Sequence, residues 1–264
     1  MAHPMVLIHG MWCTGAHLAR LADALRARGF DCRVPTLPAH ETGVPHPEVG
    51  SLSLADYAAF LERYIADQNF ARPPTLVGHS MGGLLAQMLA ARLEVFALVL
   101  LTPASPAGIN AVRPAPLVAF FRVLMRPGFW KRPHKPSWAR VRRSACNGLP
   151  TEKQRQIYAG LVEESGRALA EIAFWWADRK RTTRVDPDAV GCPVYVVAAG
   201  RDRLTPPAVV RKVAARYRGA QLRLYPQRSH WVIDDEETDE MAGEIASWLL
   251  PYEQRAARGL PMHV

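Results

Sequence analysis

A chain of 264 residues with 49% hydrophobic content can bury a large core and sits at the upper end of what one α/β domain holds, so one domain is expected. No apolar run approaches the roughly 18–20 residues of a membrane-spanning helix, and Met1-Ala2-His3-Pro4 enters a strand pattern without a signal-peptide layout, so the expectation is a soluble cytoplasmic protein with no stable membrane insertion. The net charge of +9 lies in one place: residues 104–190 hold 16 Lys+Arg against 7 Asp+Glu, and the remainder balances. These basic residues are dispersed among prolines and aromatics with no recognisable nucleic-acid module, so no nucleic-acid partner is expected.

From Met5 to Arg92 short apolar runs alternate with helical periodicity, the pattern of βαβ units around a mostly parallel sheet. Strands are expected at Met5–Ile8, Phe30–Pro35, Pro73–Val77 and Val95–Leu101, and helices at His17–Arg28, from Ser53 to about Gln68, and at Met81–Arg92. The stretch from Pro35 to Gly50, broken by prolines and polar residues, reads as loop. Between Thr102 and Gly191 the composition turns to Pro, Arg and Trp over helical periods, with Leu117, Phe120, Phe121, Leu124 and Met125 on one helical face. A second helix opens at Thr151, where Thr151 and Gln154 have capping-box spacing, and a third carries Leu169, Ile172, Ala173 and Trp176. Residues 104–190 thus read as a helical cap inserted into a core of residues 1–103 and 191–264. The strand pattern resumes at Val194–Ala199, followed by a helix near Ala208–Tyr217, a strand at Gln221–Tyr225 and a helix from about Glu236 to Leu250, with Pro251 opening a loosely held tail.

The four cysteines, Cys13, Cys32, Cys146 and Cys192, have no C-x-x-C spacing. They predict neither a zinc site nor a disulfide framework, and free buried thiols are expected.

Gly78-His79-Ser80-Met81-Gly82 fits G-x-S-x-G with a strand before it and a helix after it, the context the motif requires. Small residues belong there because the serine sits on a sharp strand-to-helix turn. A serine hydroxyl is a poor nucleophile at neutral pH, so the motif calls for a histidine base and a carboxylate that fixes the imidazole tautomer. Asp202, after the strand Val194–Ala199, and His230, after the strand ending at Tyr225, complete the chain order Ser, Asp, His. Asp234 and Asp235 compete with Asp202, although they lie at the mouth of a helix, where carboxylates favour the dipole. For a developing oxyanion, the backbone N–H of Met81 is one donor; the second comes from His9-Gly10-Met11, with Met11 the first choice and Trp12 the alternative. His9 reads as structural, with a direct catalytic role as its alternative, and His79 as packing beneath the turn.

With these residues in place the chain resembles the α/β-hydrolase superfamily over nearly its whole length. The Gly78–Gly83 turn, Gly200-Arg201-Asp202 and Ser229-His230 resemble esterases and monoglyceride-type lipases, and His9-Gly10-Met11-Trp12 resembles the small esterase and hydroxynitrile-lyase-like branch. The resemblance implies an α/β-hydrolase fold, with an eight-stranded sheet and a cap after strand six. This sequence lacks room for the two leading antiparallel strands, leaving about six.

An aromatic-rich cap (Phe120, Phe121, Phe129, Trp130, Trp138, Phe174, Trp175 and Trp176) would wall a pocket, with two or three of these residues reaching substrate and the others packing helices. Trp12 and Trp231, adjacent to the oxyanion loop and the base, are the substrate contacts expected from position. The resulting expectation is hydrolysis of an apolar or aromatic carboxylic ester through an acyl-enzyme on Ser80, with a small-molecule substrate and neither cofactor nor metal. A thioester, lactone, amide or C–C substrate for the same triad, or a non-catalytic receptor, are the alternatives. The sequence leaves the oligomeric state open.

Overall fold

The computed structural model describes residues 2–43, 46–110 and 125–260. Its framework is a six-stranded, wholly parallel sheet of β1 (His3–Ile8), β2 (Phe30–Arg33), β3 (Thr75–His79), β4 (Ala97–Leu101), β7 (Val194–Ala199) and β8 (Gln221–Tyr225), in the order β2-β1-β3-β4-β7-β8. This is the α/β-hydrolase fold expected from the sequence, at the shorter strand count. Runs such as Met5-Val6-Leu7-Ile8 are apolar on every residue because both faces of the sheet are covered. Met5 and Leu7 enter the core on one face, and Val6 and Ile8 that on the other.

Helices α1 (Ala19–Arg26) and, at the C-terminal end, α8 (Thr238–Ala257) cover the first face; α2 (Leu54–Asp67), α3 (Met81–Ala90) and α7 (Pro207–Ala214) cover the second. Ser53 caps α2 with a capping box: its hydroxyl accepts from Asp56 N–H at 3.1 Å, and the Asp56 carboxylate accepts from Ser53 N–H at 2.8 Å. Because α1 and α3 lie on opposite faces, the loops after β1 and β3 diverge. They leave a crevice at the carboxyl ends of the strands, where open parallel sheets place their ligands.

The segment between β4 and β7 contains a two-residue antiparallel pair, β5 (Pro133–His134) with β6 (Glu164–Ser165), and helices α4 (Trp138–Ser144), α5 (Thr151–Gly160) and α6 (Gly166–Ala173). The helical face expected over Leu117, Phe120, Phe121 and Leu124 lies outside the described residues.

Three expectations are corrected. The second helix opens at Thr151 as expected, but without the capping box: the N-cap is Pro150 and no side chain caps the helix. Gln154 turns instead to the incoming chain, donating to the carbonyls of Cys146 at 2.9 Å and Leu149 at 3.0 Å. The third helix stops at Ala173, before Trp176. The chain beyond Pro251 is not a loose tail but the continuation of α8 to Ala257. Proline removes one backbone donor, but the last turns are tied down by Tyr252 against Trp248, with ring centroids 5.3 Å apart, and by Glu253, which pairs with Arg72 at 2.9 Å.

The turn after β3 depends on glycine. A Cβ on Gly82 would stand 2.1 Å from the Ile8 carbonyl oxygen and 2.5 Å from that of His9, so α3 packs directly on the end of β1. Gly82→Ala must push these backbones apart at an overpacking cost of about 1–3 kcal/mol. Thermal melts are expected to fall by about 2–4 °C per kcal/mol, and an unchanged Tm would show that the contact relaxes freely.

Candidate active site

Each chemically reactive residue stands just beyond the carboxyl end of a strand. Ser80 follows β3 with φ 55° and ψ −119°, a strained conformation for a non-glycine residue. Backbone bonds hold it there: Ser80 N–H donates to Leu101 O at 3.0 Å, and Ser80 O accepts from Gly83 N–H at 2.9 Å and Ala104 N–H at 2.8 Å. The side chain is thereby presented to a cavity of about 310 Å³ that Ser80, His230, Met11, Met81, Trp12 and Trp231 all line.

The loops after β7 and β8 are laced together, with Gly200 N–H donating to Tyr225 O at 2.8 Å and Arg201 N–H to Arg228 O at 2.9 Å. This brings Asp202 to His230, with Nδ1 donating to Oδ2 at 2.8 Å, and both residues are buried. Asp234 and Asp235 are engaged elsewhere, with Lys153 and Arg228 respectively. Asp202 is held by more than the histidine. Its Oδ1 accepts from the N–H groups of Leu204 at 2.7 Å and Thr205 at 2.9 Å, and the Thr205 hydroxyl stands 2.7 Å from Oδ2. On the histidine side, the His230 carbonyl accepts from His79 Nε2 at 3.0 Å and the Thr102 hydroxyl at 3.2 Å. With Nδ1–H committed to Asp202, His230 keeps Nε2 as its acceptor. No hydrogen bond joins that nitrogen to the Ser80 hydroxyl in this conformation, although both residues line the same cavity. Such contacts often tighten only when substrate binds.

Two backbone donors flank Ser80. Met81 is the first residue of α3, so its N–H has no intrahelical acceptor. In the loop after β1, Trp12 N–H is directed to the Glu164 carboxylate at 3.4 Å, whereas Met11 N–H carries no bond among the described residues. His9 lies behind this loop rather than in the cavity. Its Nδ1 donates to Gly10 O at 2.9 Å and its Nε2 accepts from Leu37 N–H at 3.0 Å. Complete burial, with the His40 charge nearby, pushes its pKa down to about 3, so it stays neutral. His79 is likewise held well below the usual imidazole range, first by burial and then by His230.

The cavity wall is apolar. Of the aromatics proposed from sequence, Phe174, Trp175 and Trp176 line it, Trp176 with 57% of its surface exposed, and Trp130, 48% exposed, is not part of the wall. Trp12 is clamped by its indole N–H, which donates to His134 O at 3.1 Å. The Trp231 indole N–H is buried without a partner among the described residues. Sequence reasoning missed Thr205, Thr102, His40 and Glu164. The Asp-x-x-Thr spacing of Asp202 and Thr205 is a local turn signal that could have revealed the first; the others reach the site only through tertiary contacts. The four cysteines are buried and free, with burial pushing the thiols of Cys32, Cys146 and Cys192 up to about 12. Among the described residues no helix is long and apolar enough to cross a membrane.

A pimeloyl-(acyl-carrier protein) methyl ester esterase of Chromobacterium violaceum is 29% identical to this chain over 241 residues, 86% of each protein. Two solved structures share the fold. The methylesterase MES16 from Arabidopsis aligns with TM-score 0.68 at 15% identity over 98% of this chain and 100% of that one. The monoacylglycerol lipase of Paleococcus ferrophilus aligns with TM-score 0.69 at 20% identity over 94% of each. At such identities these two structures bear on the fold alone. The description that matches residues 5–244 is the alpha/beta hydrolase family, and over that span, with a parallel sheet carrying serine, aspartate and histidine at its strand ends, the chain belongs to the alpha/beta hydrolase family.

Proposed function

We propose that the protein hydrolyses carboxylic esters with an apolar or aromatic acyl part through an acyl-enzyme on Ser80. The observation that carries this reading is the convergence of Ser80, His230 and the Met11 and Met81 N–H groups on one apolar cavity, with Asp202 behind the histidine. In the proposed cycle His230 Nε2 takes the Ser80 proton as Oγ attacks the ester carbonyl, and the tetrahedral oxyanion is met by Met11 and Met81 N–H. His230 then protonates the leaving alcohol, and water, activated by the same nitrogen, releases the acid and restores Ser80. Asp202 fixes the Nδ1–H tautomer and stabilises the imidazolium. Residues 104–190 act as the cap, bringing Phe174, Trp175 and Trp176 to the acyl part, with Trp12 and Trp231 closer to the scissile bond. No cofactor enters the cycle, and the partner is the small-molecule substrate.

A second reading concerns how the acyl group is presented. The excess positive charge of residues 104–190 and the carrier-linked methyl ester named for the Chromobacterium relative favour a methyl ester of an acyl chain borne on an acidic carrier.

Fluorophosphonate labelling and a p-nitrophenyl ester series from acetate to palmitate test the proposal. Labelling at Ser80 is expected, with turnover highest for short and medium acyl chains, because about 310 Å³ is at the small end of ligand pockets, which span about 300–1,000 Å³. Labelling elsewhere, or no labelling and no turnover, would overturn the assignment. Preference for palmitate would overturn the pocket reading.

A further inference from the structure

The most heavily engaged buried carboxylate outside the triad is Glu164, in β6 of the cap, with no exposed surface. Four donors from different parts of the chain meet on it. Its Oε2 accepts from His40 Nε2 at 3.1 Å and from Trp12 N–H at 3.4 Å; its Oε1 accepts from the Tyr57 hydroxyl at 2.8 Å and from Ser165 N–H at 2.7 Å. Burial is the largest single influence on both Glu164 and His40 and opposes their ionisation, but the partner's charge and the converging hydrogen bonds together overcome it, holding the carboxyl below and the imidazole above their ordinary values. A buried ion pair stabilises a fold less well than apolar packing of the same volume often does. Its partners here suggest a different use.

One of the four donors is the backbone of Trp12, the residue after Met11, and Trp12 adopts a left-handed conformation with φ 63°. For a bulky residue this persists only when its surroundings over-determine it. The cap supplies that constraint at three points: Glu164 takes the Trp12 N–H, Val162 N–H donates to the Trp12 carbonyl at 2.8 Å, and His134 O takes the indole N–H at 3.1 Å. With Trp12 N–H drawn away to the cap, the neighbouring Met11 N–H is left for the cavity. A lone carboxylate so close would repel a developing oxyanion, and His40 offsets its charge.

We propose that Glu164 is a positioning residue which, by holding the Trp12 backbone in its left-handed conformation, aims the Met11 N–H at the oxyanion. This rests on the ester-hydrolase reading above. The cap is then part of the oxyanion hole's support as well as a wall of the pocket.

The test compares the full-length protein with Glu164→Gln and Tyr57→Phe. Glu164→Gln keeps the side chain's shape but offers an amide NH₂ where donors converge, and Tyr57→Phe removes one donor to the same carboxylate with the least change in packing. For each, kcat and KM on a p-nitrophenyl ester are measured per active site titrated with fluorophosphonate, together with the affinity for a trifluoromethyl ketone, whose adduct carries an oxyanion. For Glu164→Gln, kcat is expected to fall about 10–100-fold, as for other small misplacements of a catalytic group, with KM within about twofold. Trifluoromethyl ketone affinity should fall in parallel with kcat/KM, and Tyr57→Phe should show the same pattern more weakly. If Glu164→Gln does not fold, the Tyr57→Phe result decides. The inference is overturned if kcat and ketone affinity per titrated site stay at wild type, if only KM rises, or if the loss lies wholly in the number of titratable sites. Ser80→Ala, run alongside, separates the two levels: activity surviving there overturns the hydrolase reading itself, whereas a dead Ser80→Ala beside an unaffected Glu164→Gln overturns only the positioning role.

Discussion

Ser80→Ala is expected to lower ester turnover by about 10⁵–10⁶-fold, the loss seen when a nucleophile that works as one unit with its base is removed, and to abolish fluorophosphonate labelling. The fold should be unaffected for a reason visible in the structure. The strained backbone of Ser80 is held by its own N–H and carbonyl, through Leu101, Gly83 and Ala104, and alanine keeps both groups and the Cβ. The hydroxyl makes no hydrogen bond among the described residues, so its removal leaves no buried partner stranded, and the change in stability should stay within about 0.5 kcal/mol. Circular dichroism and thermal melts beside the kinetics separate the two effects. Residual activity above a few per cent of wild type, in a sample free of contaminating esterase, would mean that another group carries the acyl transfer.

The parts of this fold that sequence made legible are those specified locally. Apolar runs of four to six residues, such as those in β1 and β7, read as buried parallel strands because they are too short for a buried helix such as α3 and fit a sheet covered on both faces. The Gly-x-Ser-x-Gly turn is equally local, since the glycines are demanded by contacts within a few residues or with the adjacent strand end. Asp202 and His230 were legible through their place after particular strands, and their 2.8 Å contact follows from the strand order. What sequence did not disclose is the support behind the site. Glu164 and His40 lie 124 residues apart, and nothing near either one announces a partner. Thr102 reaches the His230 carbonyl across 128 residues.

The departures at Pro251 and at the cap of the Thr151 helix have the same origin. Pro251 looked like a helix end because proline removes a donor, but Tyr252 and Glu253 find tertiary anchors on Trp248 and Arg72. Thr151 and Gln154 had the spacing of a capping box, yet Gln154 found carbonyl acceptors at Cys146 and Leu149. In each case a local preference, about 1 kcal/mol for a cap and about 3 kcal/mol against proline within a helix, yielded to contacts that depend on the assembled chain.

Stability is expected to fall in acid because this fold buries several neutral histidines. His9 and His79 are buried behind the loop and the nucleophile turn, and His3, His17 and His134 are also held below the usual imidazole range, chiefly by burial; for His3 and His9 the value is about 3. Because these folded-state values lie below the ordinary 6.5, the unfolded chain takes up protons as pH falls through 6.5 while the folded chain does not. Their contribution is therefore complete above about pH 6.5 and is lost progressively below it, by up to about 1.4 kcal/mol per pH unit for each histidine. His40 works in the opposite sense. Its raised value gives stability that is lost as pH rises through the folded value and is complete below 6.5, so in acid it is a constant offset that leaves the slope of the fall unchanged. Glu171, raised by burial, gains stability on acidification only once pH approaches the carboxyl range. Several histidines acting together can exhaust a typical stability of about 5–15 kcal/mol within about two or three pH units. Urea titrations between pH 8 and pH 5 should show a stability plateau above pH 6.5 for this histidine set and a steep fall beneath it. His79→Asn, which keeps a donor for the His230 carbonyl but does not titrate, should make that fall shallower by up to about 1.4 kcal/mol per pH unit. A flat profile from pH 7.5 to 5.5 would mean that these imidazoles take up protons in the folded state, and that the loop and turn behind the nucleophile open to water far more readily than their packing implies.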